Sequence, residues 1–382
     1  MKQVLILLIL ISTSSLFVKA QTYFTGHTTI TYTDSSRNNR SIPTEIYYPA
    51  ISTGDNIAAA NGIFPIIVFG HGFVMVWSAY ENIWTSLTQN GFIVALPKTE
   101  TGLSPSHTEF AKDLAYLVTA IDAENSNATS LLYQHIDSLS CVMGHSMGGG
   151  AALLSVQYNS SIDAVATLAA AETNPSAIAA CAGITLPSLY IAGGNDCITP
   201  PTTNQLPMYT ATSANCKSII TITGGSHCQF AESNFNCSFG EATCSPAPTI
   251  SRSFQHSVTD SVMIPWLKNY LMNDCTSGIA FQDLLTTSGN ITSQQNCIVC
   301  QASSFNNNLK GTTSIYISDK TLYVKSANYI KDLKIVNSLG QPVLSSTVNA
   351  YEFTKELLLP ASLYYIILSG DNFTTTHAIM IR

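Results

Sequence analysis

One pentapeptide constrains the fold of this chain more than any other feature: Gly144-His145-Ser146-Met147-Gly148, a G-x-S-x-G. It follows an apolar, strand-like run near Ser138 to Met143 and opens a helical stretch at Met147. A serine on so sharp a strand-to-helix turn needs glycines around it, because the turn brings its backbone close to neighbouring elements. The same geometry lifts the hydroxyl above the sheet. Such a turn requires a parallel sheet to hold it, and the rest of the sequence supplies one.

Phe64-Pro-Ile-Ile-Val-Phe69 is continuously apolar, as expected of a strand buried on both faces. A capping box from Ser78 to Glu81 predicts a helix closing near Gly91, and a second from Ser106 to Glu109 predicts another. Strands are expected at His27 to Thr33, Thr44 to Tyr48, Phe92 to Leu96, Ala164 to Ala169, Pro187 to Ala192 and Ser218 to Thr223. Helices are expected around Gln205 and along Val258, Val262, Trp266 and Tyr270. Strands alternating with helices at this spacing give an α/β fold, a mostly parallel sheet covered on both faces.

The chemistry follows from the turn. A hydroxyl is a weak nucleophile until a base takes its proton and an acid orients that base. In this architecture the chain order is Ser, acid, His. Asp196 ends a strand in Gly193-Gly-Asn-Asp196, and His227 follows the next strand in Gly224-Gly-Ser-His227. Ser146, Asp196 and His227 are therefore the expected catalytic residues. Asp163 and Asp260 are the fallback acids, and both lack the strand-end context. Gly70-His71-Gly72-Phe73 stands where the second donor of an oxyanion hole belongs, so the backbone N–H groups of Phe73 and Met147 are the expected pair. His71 and His145, inside glycine motifs, are not candidates for the base. No cofactor is called for, and no metal cluster or phosphate-cradling loop is evident.

These stretches resemble the secreted ester hydrolases grouped with cutinases, chlorophyllase-like and poly(ethylene terephthalate) hydrolase-like enzymes. The resemblance covers residues 60 to 275 and rests on Phe64-Pro-Ile-Ile-Val-Phe-Gly-His-Gly-Phe73, Gly144-His-Ser-Met-Gly-Gly149, Gly193-Gly-Asn-Asp196 and Gly224-Gly-Ser-His227. It implies an α/β-hydrolase fold and a serine carboxylic ester hydrolase, with polyesters among its substrates. Polyester-degrading relatives usually carry a Trp in the loop after the strand that follows the elbow helix. Here that loop reads Ala170-Ala-Glu-Thr-Asn-Pro175, with Glu172 at the corresponding place. Trp77, Tyr80 and Phe230 are the aromatic candidates for the cleft, and Trp77, Glu172 and Phe230 the expected substrate contacts. A peptidase or thioesterase on the same fold is the rival activity, and a non-catalytic binding protein on a hydrolase scaffold the rival class.

Met1 to Ala20 has the parts of a secretory signal: Lys2, the apolar run Val4 to Ile11, and Val18-Lys19-Ala20 before a cut at Gln21. The run is too short for a bilayer, which takes about 20 apolar residues. All 10 cysteines follow it, which suits an oxidising compartment. Cys141 reads as a buried free thiol. Cys197 directly follows Asp196 and Cys228 directly follows His227, so a disulfide pinning one or both loops is expected, with Cys197–Cys216 and Cys197–Cys228 both open. Cys297-x-x-Cys300 has no partner motif for zinc. The formal net charge is −7, with 7 Lys/Arg against 18 Asp/Glu between Gln21 and Cys300. So acidic a body repels phosphate backbones, and nucleic acid is not an expected partner.

Residues 301–313 are rich in Ser, Asn, Gly and Thr and read as a linker. Beyond them only strands are expected, forming a small β-sandwich over 314–382. Its pieces Leu333-Lys-Ile-Val-Asn-Ser-Leu-Gly-Gln341 and Leu359-Pro-Ala-Ser-Leu-Tyr-Tyr365 resemble the C-terminal sorting domains of type IX secretion, with Ser362 where a Gly is usual. The expected organisation is a signal peptide (1–20), an α/β-hydrolase domain (21–300), a linker and a sorting domain. The resemblance implies secretion through the type IX machinery. The protein is expected to act as a monomer on a small or polymeric ester, with no transmembrane segment.

Overall fold

The computed structural model describes residues 22–296, 313–318, 320–337, 341–360, 362–370 and 374–381. The signal segment, the Cys297-x-x-Cys300 pair and all of the linker except Thr313 lie outside them. The chain divides into two compact units, one of residues up to Asn273 with 284–297, the other of 274–283 with the residues from Ile298 on.

The first elements are the strands β1 (Phe24–Asp34), β2 (Arg40–Ala50), the two-residue β3 (Gly54–Asp55) and β4 (Phe64–Gly70). Helix and strand then alternate through α1 (Glu81–Gln89), β5 (Ile93–Pro97), α2 (His107–Asp122), β6 (Ile136–His145), α3 (Met147–Ser155) and β7 (Ala164–Leu168). The alternation continues with α4 (Ala177–Cys181), β8 (Ser188–Gly193), α5 (Gln205–Ala211) and β9 (Lys217–Ile222). Three helices, α6 (Phe235–Glu241), α7 (Arg252–Leu271) and α8 (Cys275–Thr287), precede the edge strand β10 (Ile291–Gln295).

All ten strands form one sheet in the order β10-β9-β8-β7-β6-β4-β5-β2-β1-β3. The segment from β9 to β5 is parallel; β2 pairs antiparallel with β5, β1 antiparallel with β2, β3 parallel with β1, and β10 antiparallel with β9. The central strands β4, β5, β7 and β8 are buried along their whole length, which explains why they read as unbroken apolar runs rather than as alternation. On one face Ile66, Val68, Val142, Val165 and Tyr190 join Phe110, Leu114 and Leu117 of α2 and Ala151 to Leu154 of α3 in a single core. The other face is covered by α1 and α7. This is the α/β-hydrolase architecture.

Ser106 caps α2, accepting the Glu109 amide at 3.2 Å, as its capping box predicts. The predicted box at Ser78 does not form. Residues Trp77–Tyr80 make a 3-10 turn instead, and α1 starts at Glu81 without a side-chain cap. The edge strand β10 has no counterpart in the sequence reading, because Ile291-Thr-Ser-Gln-Gln295 is mostly exposed and its one buried residue leaves no alternation to detect.

The second unit holds β11 (Thr313–Ser318), β12 (Thr321–Asn337), β13 (Pro342–Glu356), β14 (Ser362–Ser369) and β15 (Thr374–Ile381). They form one curled antiparallel sheet, β11-β12-β14-β15 with β13 also paired to β12. Leu322 and Val324, Leu333 and Ile335, and Tyr364, Ile366 and Leu368 recur at every second residue and meet in its core. Among the described residues, no helix is long and apolar enough to cross a membrane.

Candidate active site

Ser146 lies between β6 and α3 with φ 56° and ψ −122°, a conformation an L-residue adopts only when its surroundings enforce it. Three bonds do so. The Ser146 amide donates to Leu168 O at 3.0 Å, and its carbonyl accepts the amides of Gly150 at 3.1 Å and Ala171 at 2.9 Å. The flanking glycines are there for space. A Cβ on Gly144 would run into the backbone of Gly148, and one on Gly148 into the carbonyls of Gly70 and His71.

The Ser146 Oγ lies 2.9 Å from His227 Nε2, and His227 Nδ1 lies 2.8 Å from Asp196 Oδ2. All three side chains are buried. A carboxylate only accepts, so Nδ1 carries the imidazole proton and Nε2 presents its lone pair to the Ser146 hydroxyl. Asp196 Oδ1 accepts the amides of Ile198 and Thr199, each at 2.8 Å, and Oδ2 accepts the Thr199 hydroxyl at 2.8 Å. Burial alone pushes this carboxyl up. The hydrogen bond and charge of His227, with the Thr199 bonds, outweigh it and hold the group below the usual carboxylate range.

The turn that bears His227 is fastened on every side. Gln255 of α7, fully buried, clamps Ser226 by accepting its amide and donating to its carbonyl, both at 2.9 Å. The carbonyl of His227 faces His145 Nε2 at 3.1 Å. The amide of Cys228 donates to Glu241 Oε1 at 3.1 Å, and the Arg252 guanidinium donates to the carbonyls of Cys228 and Ala231. Thr199 and Gln255 are parts of this arrangement that the sequence reading did not name. The Asp196-x-x-Thr199 spacing, a side-chain oxygen three residues before the amide it accepts, was the available signal for Thr199.

The Met147 amide opens α3, where no intrahelical acceptor exists for it. Phe73 follows the end of β4, its side chain 46% exposed. Among the described residues neither amide donates to a protein acceptor.

A family model described as "PETase: PET hydrolase-like" matches residues 13–278. The chain belongs to the PET hydrolase-like family. Two curated relatives come from Thermobifida alba. Cutinase est2 is 28% identical over 184 residues, which are 48% of this chain and 56% of that protein. Cutinase est1 is 28% identical over 165 residues, 43% of this chain and 50% of that protein. The chain thus spans about half the length of the curated relatives it matches.

In this PET hydrolase-like chain the remaining predicted residues fall in different places. Trp77 is half-buried, stacked 6.4 Å from the ring of His27 and tilted against that of Tyr47 at 6.2 Å. Glu172, an expected substrate contact, is tied into its own loop. Its Oε2 accepts the Ile178 amide at 2.9 Å at the start of α4, and its own amide donates to Asn204. Phe230, expected in the cleft wall, is fully buried, its ring 6.1 Å from that of His145. The short turn after His227 folds it inward. The fallback acid Asp163, immediately before β7, accepts the amide of Ser140 in β6, and Asp260 lies on α7.

The cysteines that follow Asp196 and His227 are both in disulfides, but with partners other than those expected. Cys197 pairs with Cys244 and Cys228 with Cys237, so the segment around α6 is linked to the residue after Asp196 and to the residue after His227. Neither Cys197–Cys216 nor Cys197–Cys228 forms. Cys141 and Cys181 are buried free thiols.

Proposed function

We propose that this protein is a serine carboxylic ester hydrolase working through an acyl-enzyme on Ser146. The observation that carries the proposal is the continuous hydrogen-bonded set Ser146 Oγ, His227 and Asp196, with the tautomer that a general base needs. His227 Nε2 takes the hydroxyl proton as Ser146 Oγ attacks the ester carbonyl. Asp196 holds the ring and stabilises the imidazolium that forms. The Met147 and Phe73 amides, which donate to no protein acceptor among the described residues, are the proposed donors to the oxygen of the tetrahedral intermediate. His227 then returns the proton to the leaving alcohol, and a water activated by the same nitrogen releases the acid.

Family membership, and relatives named as cutinases, favour an ester over a peptide or thioester and bring polyesters among the substrates. Two disulfides beside the site support an extracellular working place. The signal segment, and the resemblance of the sequence beyond residue 314 to sorting domains, support export by the type IX machinery.

Turnover of p-nitrophenyl butyrate, with a fluorophosphonate probe mapped to the peptide containing Ser146, tests the reading. Labelling at Ser146 with ester turnover is the expected result. A protein inert to the probe and to every ester, or one faster on peptides or thioesters, contradicts it. Release of soluble products from aliphatic and aromatic polyester films then ranks the polymers.

A further inference from the structure

Tyr80 takes no part in the hydrolysis outlined above, yet it is fully buried at the junction of the two halves of the site. Its hydroxyl accepts the Gly72 amide at 2.7 Å and lies 3.0 Å from His145 Nδ1, while His145 Nε2 lies 3.1 Å from the carbonyl of His227. The protons along this series of bonds have one consistent placement. The His227 carbonyl only accepts, so His145 carries its proton on Nε2. Burial and the nearby charge of His227 push the His145 pKa down to about 3, so the ring is neutral and Nδ1 is an acceptor. The Tyr80 hydroxyl therefore gives its proton to Nδ1 and takes the Gly72 N–H on its oxygen. Met75 Sδ, 3.2 Å from the same hydroxyl, is a weak acceptor by comparison.

The two ends of this series give it significance. Gly72 immediately precedes Phe73, whose amide is a proposed oxyanion donor, and the other end is the main chain of the proposed base. Space at Gly72 is also tight: a Cβ there would lie 3.1 Å from the Tyr80 hydroxyl and 3.3 Å from His145 Nδ1. We infer that Tyr80 is a positioning residue which, through His145, holds the Gly72–Phe73 segment in register with the main chain of His227. The inference rests on the proposed ester hydrolysis at Ser146. In that reaction the oxyanion donor and the base have to meet the same tetrahedral intermediate, and the buried link through Tyr80 and His145 fixes their separation.

Tyr80→Phe in the full chain tests it, because the ring still fills its space while Gly72 N–H and His145 Nδ1 lose their partner. With p-nitrophenyl butyrate, and active sites counted with a fluorophosphonate, the expected result is kcat per titrated site lower by about 10- to 50-fold. That is less than the 10²–10³ of deleting an oxyanion donor outright. KM is expected within about twofold, because substrate binding does not use this link. His145→Leu cuts the same link from its other end, because Leu fills the buried space with neither donor nor acceptor. The double variant is therefore expected to match the weaker single variant rather than the product of the two losses. A Leu87→Ala change, elsewhere in the same region, supplies the comparison for mere destabilisation. Tyr80→Phe with a lowered thermal midpoint but parental kcat per titrated site overturns the inference, as do multiplicative losses. Should Tyr80→Phe fail to fold, His145→Leu decides, since parental kcat per titrated site in that variant overturns the inference equally. A parent that turns over no ester instead contradicts the proposed function itself.

Discussion

At the scale of single residues, Asp196 is the most sharply determined group. Its Oδ1 accepts two backbone amides, so only Oδ2 is left to face His227. In Asp196→Asn the two amides keep the oxygen of the new side chain and turn its NH2 toward His227 Nδ1. That side chain then donates where the carboxylate accepted, and the imidazole proton is driven to Nε2, where it faces the Ser146 hydroxyl. The expected outcome is correct folding, near-parental KM, and kcat reduced on the order of 10⁴-fold; a loss below tenfold in steady-state kinetics contradicts the assigned tautomer. The meeting of Ser146, Asp196 and His227 was legible because each occupies a strand-end or elbow position with glycines beside it. Gln255 was not, because its clamp on Ser226 arises only where α7 meets the turn in three dimensions, while Thr199 had the local Asp196-x-x-Thr199 spacing as its signal. Phe230 was placed in the cleft on residue type alone, and burial reversed that placement.

Among elements, α7 carries a cost as well as a support. The same helix that clamps Ser226 through Gln255 presents Asp260 to a cavity lined by Glu81, Asn82, Ser86 and Glu232. Burial raises the Asp260 pKa to about 6, only partly opposed by the Ser86 hydroxyl. An unfolded aspartate titrates near 3.9. Between about pH 4 and 6 the folded state therefore binds the extra proton, and stability falls as pH rises through this window. Asp260→Asn is expected to raise the thermal midpoint at pH 8, with a gain of about 1–2 kcal/mol after allowing for solvent access, and to change it little at pH 4. Equal midpoint shifts at both pH values in calorimetry contradict the assignment. The parallel strands were readable as apolar runs, since burial on both faces removes polar positions from them. The Ser78 box was misread because a local motif does not specify whether a 3-10 turn or an α-helix follows. The disulfide pairing was illegible because spacing along the chain does not report which loops meet, and α6 brings Cys237 and Cys244 to the site from beyond His227.

At the scale of the whole molecule, the two units have separate cores, and the residues of the proposed site all belong to the first. If the curled C-terminal sheet is an export address, intact mass spectrometry of the protein released by its native host is expected to find the sheet removed. A mature product that retains residues 314–382 contradicts the sorting role. The change from α/β alternation to strands alone was legible near residue 300, because the period of the apolar residues changes there from helical to alternating. How that second sheet is paired was not, since β12 and β13 pair through several register shifts that no local pattern marks. The central claim is that the elbow serine is the nucleophile, and one measurement meets it most directly: hydrolysis of p-nitrophenyl butyrate by the parent protein beside Ser146→Ala. The account predicts ester turnover by the parent and a loss on the order of 10⁴–10⁶ in kcat for the variant, with its thermal midpoint unchanged. Parental rates in a folded Ser146→Ala protein would contradict it.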